Sequence, residues 1–226
     1  MKNKKQLLIN IITIINVVII AIFIYQMVIN SIYSRKFAKE LIEKNGNTSN
    51  YILSKEKYLI EKDTTEIEKV VQMEDARKII YEDTGKVMLY YNDCEINEKL
   101  KRYSKTKATD NGEEEILITT KEIISMNPLK SQYESYNNII SSYRNYKYLG
   151  KEKIDSISCI IVKCTMDNKV DYIKVWINLD NGFVIKEESY KDNILESIVT
   201  YKTEVNTVTS DIVEIPNLDE YTYIEK

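Results

Sequence analysis

SISCIIVKCTM, DNK, VDYIKVWINL, DNG, FVIKEESY, KDN and ILESIVTYKTEV, residues 156–205 in order, read as four strands joined by three short turns. Asp, Asn, Lys and Gly build the turns and favour tight reversals, so the strands run as an antiparallel meander. In the second strand Ile173, Val175, Ile177 and Leu179 make one aliphatic face. Tyr172 and Trp176 lie on the other face, with Lys174 between them. Apolar weight on both faces departs from a one-sided sheet, in which apolar and polar residues alternate. A curved sheet accounts for it, with a helix on one face and a part-buried groove on the other. The plainer alternative is that Tyr and Trp occupy an exposed surface because they suit strands.

Upstream, Asn127 is a good N-cap and Pro128 suits a first helical position. Leu129, Tyr133, Tyr136, Ile139, Ile140 and Tyr143 then recur at three- and four-residue spacing, which predicts an amphipathic helix laid on something apolar. KIIYEDTGKVMLYY, residues 78–91, predicts a hairpin turning at Asp83-Thr84-Gly85. A further strand is expected from about Glu95 to Tyr103, and KTKATDNGEEE, residues 105–115, reads as a polar loop. From Tyr51 the period is two: Ile52, Tyr58 and Ile60 share parity, as do Ile67, Val71 and Met73. RKFAKELIEKNG, residues 35–46, reads as a helical continuation of what precedes it, with Gly46 as its stop.

LLINIITIINVVIIAIFIYQMVI, residues 7–29, is the one long uncharged apolar run. A helix of about 23 residues rises roughly 34 Å, enough to cross a hydrocarbon core of about 30 Å. A secretory signal would have a shorter apolar core and a small-residue cleavage site. Here Ala21 is the only alanine in the run, and the first cysteine is Cys94, too distant for a lipoprotein signal. An uncleaved anchor is favoured. Lys2, Lys4 and Lys5 on one side nearly balance Arg35, Lys36, Lys39 and Lys44 on the other, so the basic residues do not set the orientation.

Setting aside Lys2, Lys4 and Lys5 leaves 29 basic against 35 acidic residues, net −6. That argues against nucleic acid as a partner, which calls for a basic footprint. The chain has no histidine, which removes Ser-His-Asp and Cys-His catalysis and the usual imidazole zinc sites. Cys159 and Cys164 have opposite parity on one strand and cannot bridge each other. Either could pair with Cys94, leaving one over; buried free thiols are the other reading. Glu113-Glu114-Glu115 and Glu187-Glu188 read as solvated surface rather than an acid–base pair, which needs one buried carboxylate.

The order Leu149-Gly150-Lys151-Glu152-x-Ile154, Cys159-x-Ile161-Val162-Lys163, Val175-Trp176-Ile177-Asn178, Gly182-x-Val184-Ile185-Lys186, then Val205-Asn206 ahead of Ile212-x-x-Ile215-Pro216 resembles the LolA-like lipoprotein-carrier superfamily, which includes RseB-type sensors. The sequence departs from the pattern at Asn178, where aspartate is usual, at Ser156 and Ile157, where a second glycine is common, and at Ile212 and Val213, where a phenylalanine closes the motif. The lipidated cysteine of many relatives is missing. The chain also looks like the clostridial germination lipoprotein GerS and its related proteins, which assist a cortex-processing amidase.

The resemblance implies a curved antiparallel half-barrel packed on one or more helices; with the N-terminal transmembrane helix read from the apolar run, which departs from that family, the expected fold is α+β. Taken with the residue readings above, it sets the expected order: a cytoplasmic stretch 1–6, an anchor 7–29, a juxtamembrane helix and linker 30–49, and an extracytoplasmic LolA-like domain 50–226. Members bind acyl chains or partner proteins and are not enzymes. The expected function is therefore a single-pass, membrane-tethered binding module without a cofactor. Its expected partner is a cell-wall amidase or other envelope protein in spore cortex modification or germination, with an acyl chain or envelope sensing as the alternative. Tyr172, Trp176 and Tyr201 are the candidate contact residues.

Overall fold

The computed structural model describes residues 2–44, 48–74, 76–91, 94–105, 128–143, 145–166, 168 and 170–225, the side chains of residues 2–9 excepted. It opens with the apolar helix α1 (Lys2–Ile32), long and apolar enough to cross a membrane. From Asn10 onward its large side chains point outward uncovered, Phe23 at 63% and Ile24 at 54% exposure. A second helix, α2 (Arg35–Glu43), follows after two residues. The expected continuous helix is thus broken. Ser34 adopts extended backbone and its hydroxyl accepts from the Phe37 N–H, which makes it an N-cap and starts a new helix. Gly46, the expected stop, lies outside the described residues.

Two runs of strands follow, separated by a helix. The first comprises β1 (Asn50–Leu59), β2 (Thr64–Met73), β3 (Ala76–Tyr81), β4 (Lys86–Tyr91), β5 (Cys94–Asn97) and β6 (Arg102–Lys105). The helix is α3 (Pro128–Ser142). The second run is β7 (Asn145–Ile154), β8 (Ile157–Thr165), β9 (Tyr172–Asn178), β10 (Val184–Lys191) and β11 (Ile194–Val205), and a short β12 (Thr222–Tyr223) closes the chain. Among the described residues all twelve strands form one sheet in the order β12-β6-β5-β4-β3-β2-β1-β11-β10-β9-β8-β7. Each run is a meander, and the pairing of β1 with β11 joins them. The sheet is open at β12 and β7. Every pair is antiparallel except β12 with β6.

The expected hairpin is found, with Gly85 at φ +61° in its turn. The single strand expected over 95–103 is instead two, β5 and β6. The side chain of Asn97 accepts from the Leu100 N–H and turns the chain between them. Asn127 and residues 106–115 lie outside the described residues.

Three bulges, at Tyr148/Gly150, Val184/Lys186 and Ser189/Tyr190, all fall in the β7–β11 half. Bulges bend a strand and raise its twist, so they curve this half of the sheet. One face of it receives α2 and α3: Ala38, Leu41 and Ile42 of α2 and Tyr136 and Ile140 of α3 pack on Ile160, Val162, Cys164, Ile173, Val175 and Ile177. The aliphatic face read from the sequence is this one. On the β1–β6 half the opposite face is covered, by the C-terminal tail: Val208, Val213 and Tyr221 pack on Val71, Leu89 and Ile96.

The cysteines do not pair. All three are buried free thiols. Cys94 sits on β5, eight steps from β8 in the strand order. At about 4.8 Å per step that is far beyond disulfide reach.

Candidate functional site

Cross-strand register brings Tyr201 of β11 beside Lys55 of β1, and Lys55 beside Glu68 of β2. The next row along the same face is Leu53 with Val70; beyond it Tyr51, Gln72 and Arg77 stand in line. Residues directly opposite share a face, so these rows form a floor. Helix α3 runs above it, its stripe of Leu129, Tyr136 and Ile140 turned down. Between them lies a groove of about 480 Å³, walled by α3 and floored by β1, β2, β3, β10 and β11.

The groove is mixed in character. Leu53, Val70 and Ile139 are apolar, while Lys55, Arg77, Glu68 and Glu187 bring charges of both signs. Arg77 is only 4% exposed, and its Nε donates to Gln72 Oε1 at 2.7 Å. The hydroxyls of Tyr136 and Tyr201 meet at 3.1 Å with rings edge to face. Burial pushes the Tyr136 hydroxyl well above its ordinary pKa, and nearby Glu187 and Tyr201 push it further. Burial likewise raises Tyr201. Both therefore stay protonated and act as hydrogen-bonding groups. Gln132 sits beside Tyr201 in the lining of the groove. A larger space of about 610 Å³ opens at the strand ends around Lys62, Asp192 and Ile194, with no helix among the residues that line it.

The expected contact residues are not brought together. Tyr201 lies in the groove. Tyr172 and Trp176 lie on the other face of the sheet, in a laced surface rather than a groove. Tyr172 stacks on Tyr190 at 4.3 Å, with the Lys163 ammonium 3.4 Å from its ring centroid. Trp176 is 5% exposed; its Nε1 donates to Glu152 at 2.7 Å and Lys186 covers its ring. The Glu187-Glu188 pair is not solvated surface either. It lies in mid-strand, so Glu187 turns into the groove floor and Glu188 to the far face, where Lys174 and Lys186 hold it. The bulge between Val184 and Lys186 sets that parity. No sequence signal marked Arg77, Lys55 or Glu68. The helical spacing that placed Tyr136 also implied Gln132 one turn before it.

No protein-family model matches the sequence, and no curated protein matches it. Solved structures do. MucB in complex with MucA(peri) aligns over 85% of this chain and 63% of that chain, at 7% identity and TM-score 0.50. The Pseudomonas aeruginosa MucA/MucB complex aligns over 83% of this chain and 63% of that one, at 8% identity and TM-score 0.48. Mycobacterium tuberculosis lipoprotein LppX aligns over 78% of this chain and 98% of its own, at 14% identity and TM-score 0.45. The expected architecture, an apolar N-terminal helix and a curved, unclosed sheet carrying helices, is the one observed, and the MucB likeness supports it as a fold. The likeness to LolA- and RseB-like carriers holds at that level. The narrower likeness to GerS-related proteins finds no support in these comparisons.

Proposed function

We propose that this chain is a non-enzymatic binding module, tethered to the membrane by α1 with its domain on the extracytoplasmic side, whose groove under α3 takes a polypeptide segment of an envelope protein. The carrying observation is the mixed lining of the groove. Lys55, Arg77, Glu68 and Glu187 surround a short apolar strip. A peptide can answer charges of both signs and still bury side chains on Leu53 and Val70. An acyl chain would strip water from those charges and return nothing. That a protein of similar fold is solved in complex with a polypeptide partner, MucA(peri), supports the same reading.

The acyl chain is the second reading, favoured by the continuity of Leu53, Val70 and Ile139 along the groove. The narrowest form of the first reading is an accessory to a cell-wall amidase in spore cortex modification. It rests on the sequence order of residues 149–216.

A photo-crosslinking side chain at Ser135, on the groove wall, tests these readings in the full chain in its own cells. The proposal expects a protein adduct that weakens severalfold in Glu68→Gln or Lys55→Gln. A lipid adduct in its place would hand the groove to the acyl-chain reading. Identification of the adduct as an amidase, with defective cortex in the deletion strain, would establish the narrow form.

A further inference from the structure

The face opposite the helices carries a second feature, apart from the groove. Lys147 of β7, Lys163 of β8 and Lys174 of β9 are direct cross-strand neighbours, so three ammonium groups line up across the sheet. Like charges directly opposite on adjacent strands destabilise a sheet. The counter-charges do not balance the row. Glu188 is 3.3 Å from Lys174 but also 2.7 Å from Lys186. Glu152 is occupied by the Trp176 indole. Neither Lys147 nor Lys163 reaches a carboxylate among the described residues; Lys163 lies on the ring of Tyr172 instead. Burial holds the Lys163 ammonium below its ordinary pKa, and the neighbouring Lys174 and Lys147 add to that. A basic row of this kind stands out in a chain that is net −6 beyond its first lysines.

The row begins where the domain meets α1. Tyr33, directly after that helix, stacks on Tyr148 of β7 at 4.6 Å. The Lys151 ammonium covers the same ring at 4.8 Å, and the Tyr146 hydroxyl donates to the Tyr33 carbonyl at 2.9 Å. Lys147 lies between Tyr146 and Tyr148 on that strand, pointing to the other face. β7 is also an open edge of the sheet. Tyrosines just beyond an apolar span mark the headgroup layer. Lys147 therefore stands at the level where lipid phosphates lie, and Lys163 and Lys174 follow it inward. An acidic domain held within a Debye length of an anionic surface is repelled unless its basic face is turned inward.

We infer that the Lys147–Lys163–Lys174 row binds the phosphate of an anionic phospholipid headgroup, laying the β7 edge of the sheet against the bilayer that holds α1. This rests on reading α1 as a membrane anchor and is independent of what the groove binds.

Trp176, the only tryptophan, shares the face of the row and reports on it. The full chain is reconstituted in nanodiscs of phosphatidylcholine alone, or with phosphatidylglycerol added, each doped with headgroup-nitroxide lipid. Stronger quenching of Trp176 is expected in the anionic discs, fading as salt is raised. Lys147→Gln with Lys163→Gln is expected to bring the quenching down to the phosphatidylcholine level, and the double Arg variant to retain it. These two positions leave the Glu188 bonds intact, and matched unfolding curves verify the fold. Equal quenching in both discs, or an anionic excess that survives the double Gln change, would overturn the inference. So would a lysine-dependent shift of Trp176 emission on adding inorganic phosphate to neutral discs that phosphatidylglycerol does not reproduce, because the row would then hold a soluble anion. Chain released from membranes by carbonate would bring down the anchor reading as well. Chain that stays embedded with lipid-independent quenching would bring down this inference alone.

Discussion

At the scale of the residue, Gly182 shows most clearly how backbone geometry seats a helix on the sheet. It ends the β9–β10 turn at φ +76°, where its N–H donates to the Asn178 carbonyl at 2.9 Å. A Cβ there would stand 1.7 Å from the carbonyl oxygen of Leu41 in α2. The turn therefore fixes how closely α2 approaches the sheet, with the buried Leu41 and Ile42 as the seal. Gly182→Ala must both hold a side chain in the left-handed region and push α2 away. A loss of about 2–4 kcal/mol is expected from the two effects together, read as a lowered midpoint in chemical unfolding. A midpoint within error of the parent would show that α2 is free to shift. The turn itself was legible, because Asp180-Asn181-Gly182 is turn chemistry. The clash was not, because Leu41 is remote in sequence and only the fold makes it a neighbour. Tyr201 was named in advance, but its company in the groove was not legible, since Lys55 and Glu68 reach it only through the register of two long antiparallel pairings.

At the scale of the element, α3 was readable because one helix obeys one period. Leu129, Tyr136 and Ile140 are the buried stripe that the spacing predicts. The strands were readable wherever the period of two ran unbroken. They misled where a bulge shifted it, and β10 is the case in point. Its bulge between Val184 and Lys186 places Glu187 rather than Lys186 on the helix-covered face. Nothing in FVIKEESY announces the extra residue. The way α3 is tied down was equally hidden. Arg35, at the start of α2, donates from Nη2 to the Tyr143 carbonyl at 2.8 Å and from Nη1 to the Ser141 carbonyl at 3.3 Å. The last carbonyls of a helix lack internal partners, and a cation there also suits the helix dipole. Arg35→Ala is expected to cost about 1–2 kcal/mol. The loss should be local: amides in the last turn of α3 should exchange faster, while those of β2 to β4 keep their protection. Uniform loss of protection across the sheet would show that Arg35 supports the whole fold instead.

At the scale of the whole molecule, the apolar helix α1 and the domain are joined without slack. Two residues separate α1 from α2, and Tyr33 is clasped by Tyr148, Lys151 and the Tyr146 hydroxyl. The sequence read residues 30–49 as a juxtamembrane helix and linker. The clasp was invisible there because Tyr33 and Tyr146 are far apart in the chain. A carrier that ferries cargo needs release from the membrane, whereas a chain that α1 anchors, as proposed, would act beside its own span. Which side of the membrane it acts on is testable because the native thiols are quiet. Cys94, Cys159 and Cys164 are all buried, and burial pushes the Cys164 thiol up to about 12, leaving little thiolate for an alkylating reagent. Glu61 is exposed in the turn between β1 and β2 and is neither among the groove's lining residues nor part of the lysine row. With an extracytoplasmic domain, an impermeant maleimide should label Glu61→Cys in intact cells. Lys4→Cys should be labelled only after the membrane is opened, and the parent chain should remain dark in both conditions. The inverse pattern would place the domain in the cytoplasm and exclude every envelope partner proposed for the groove.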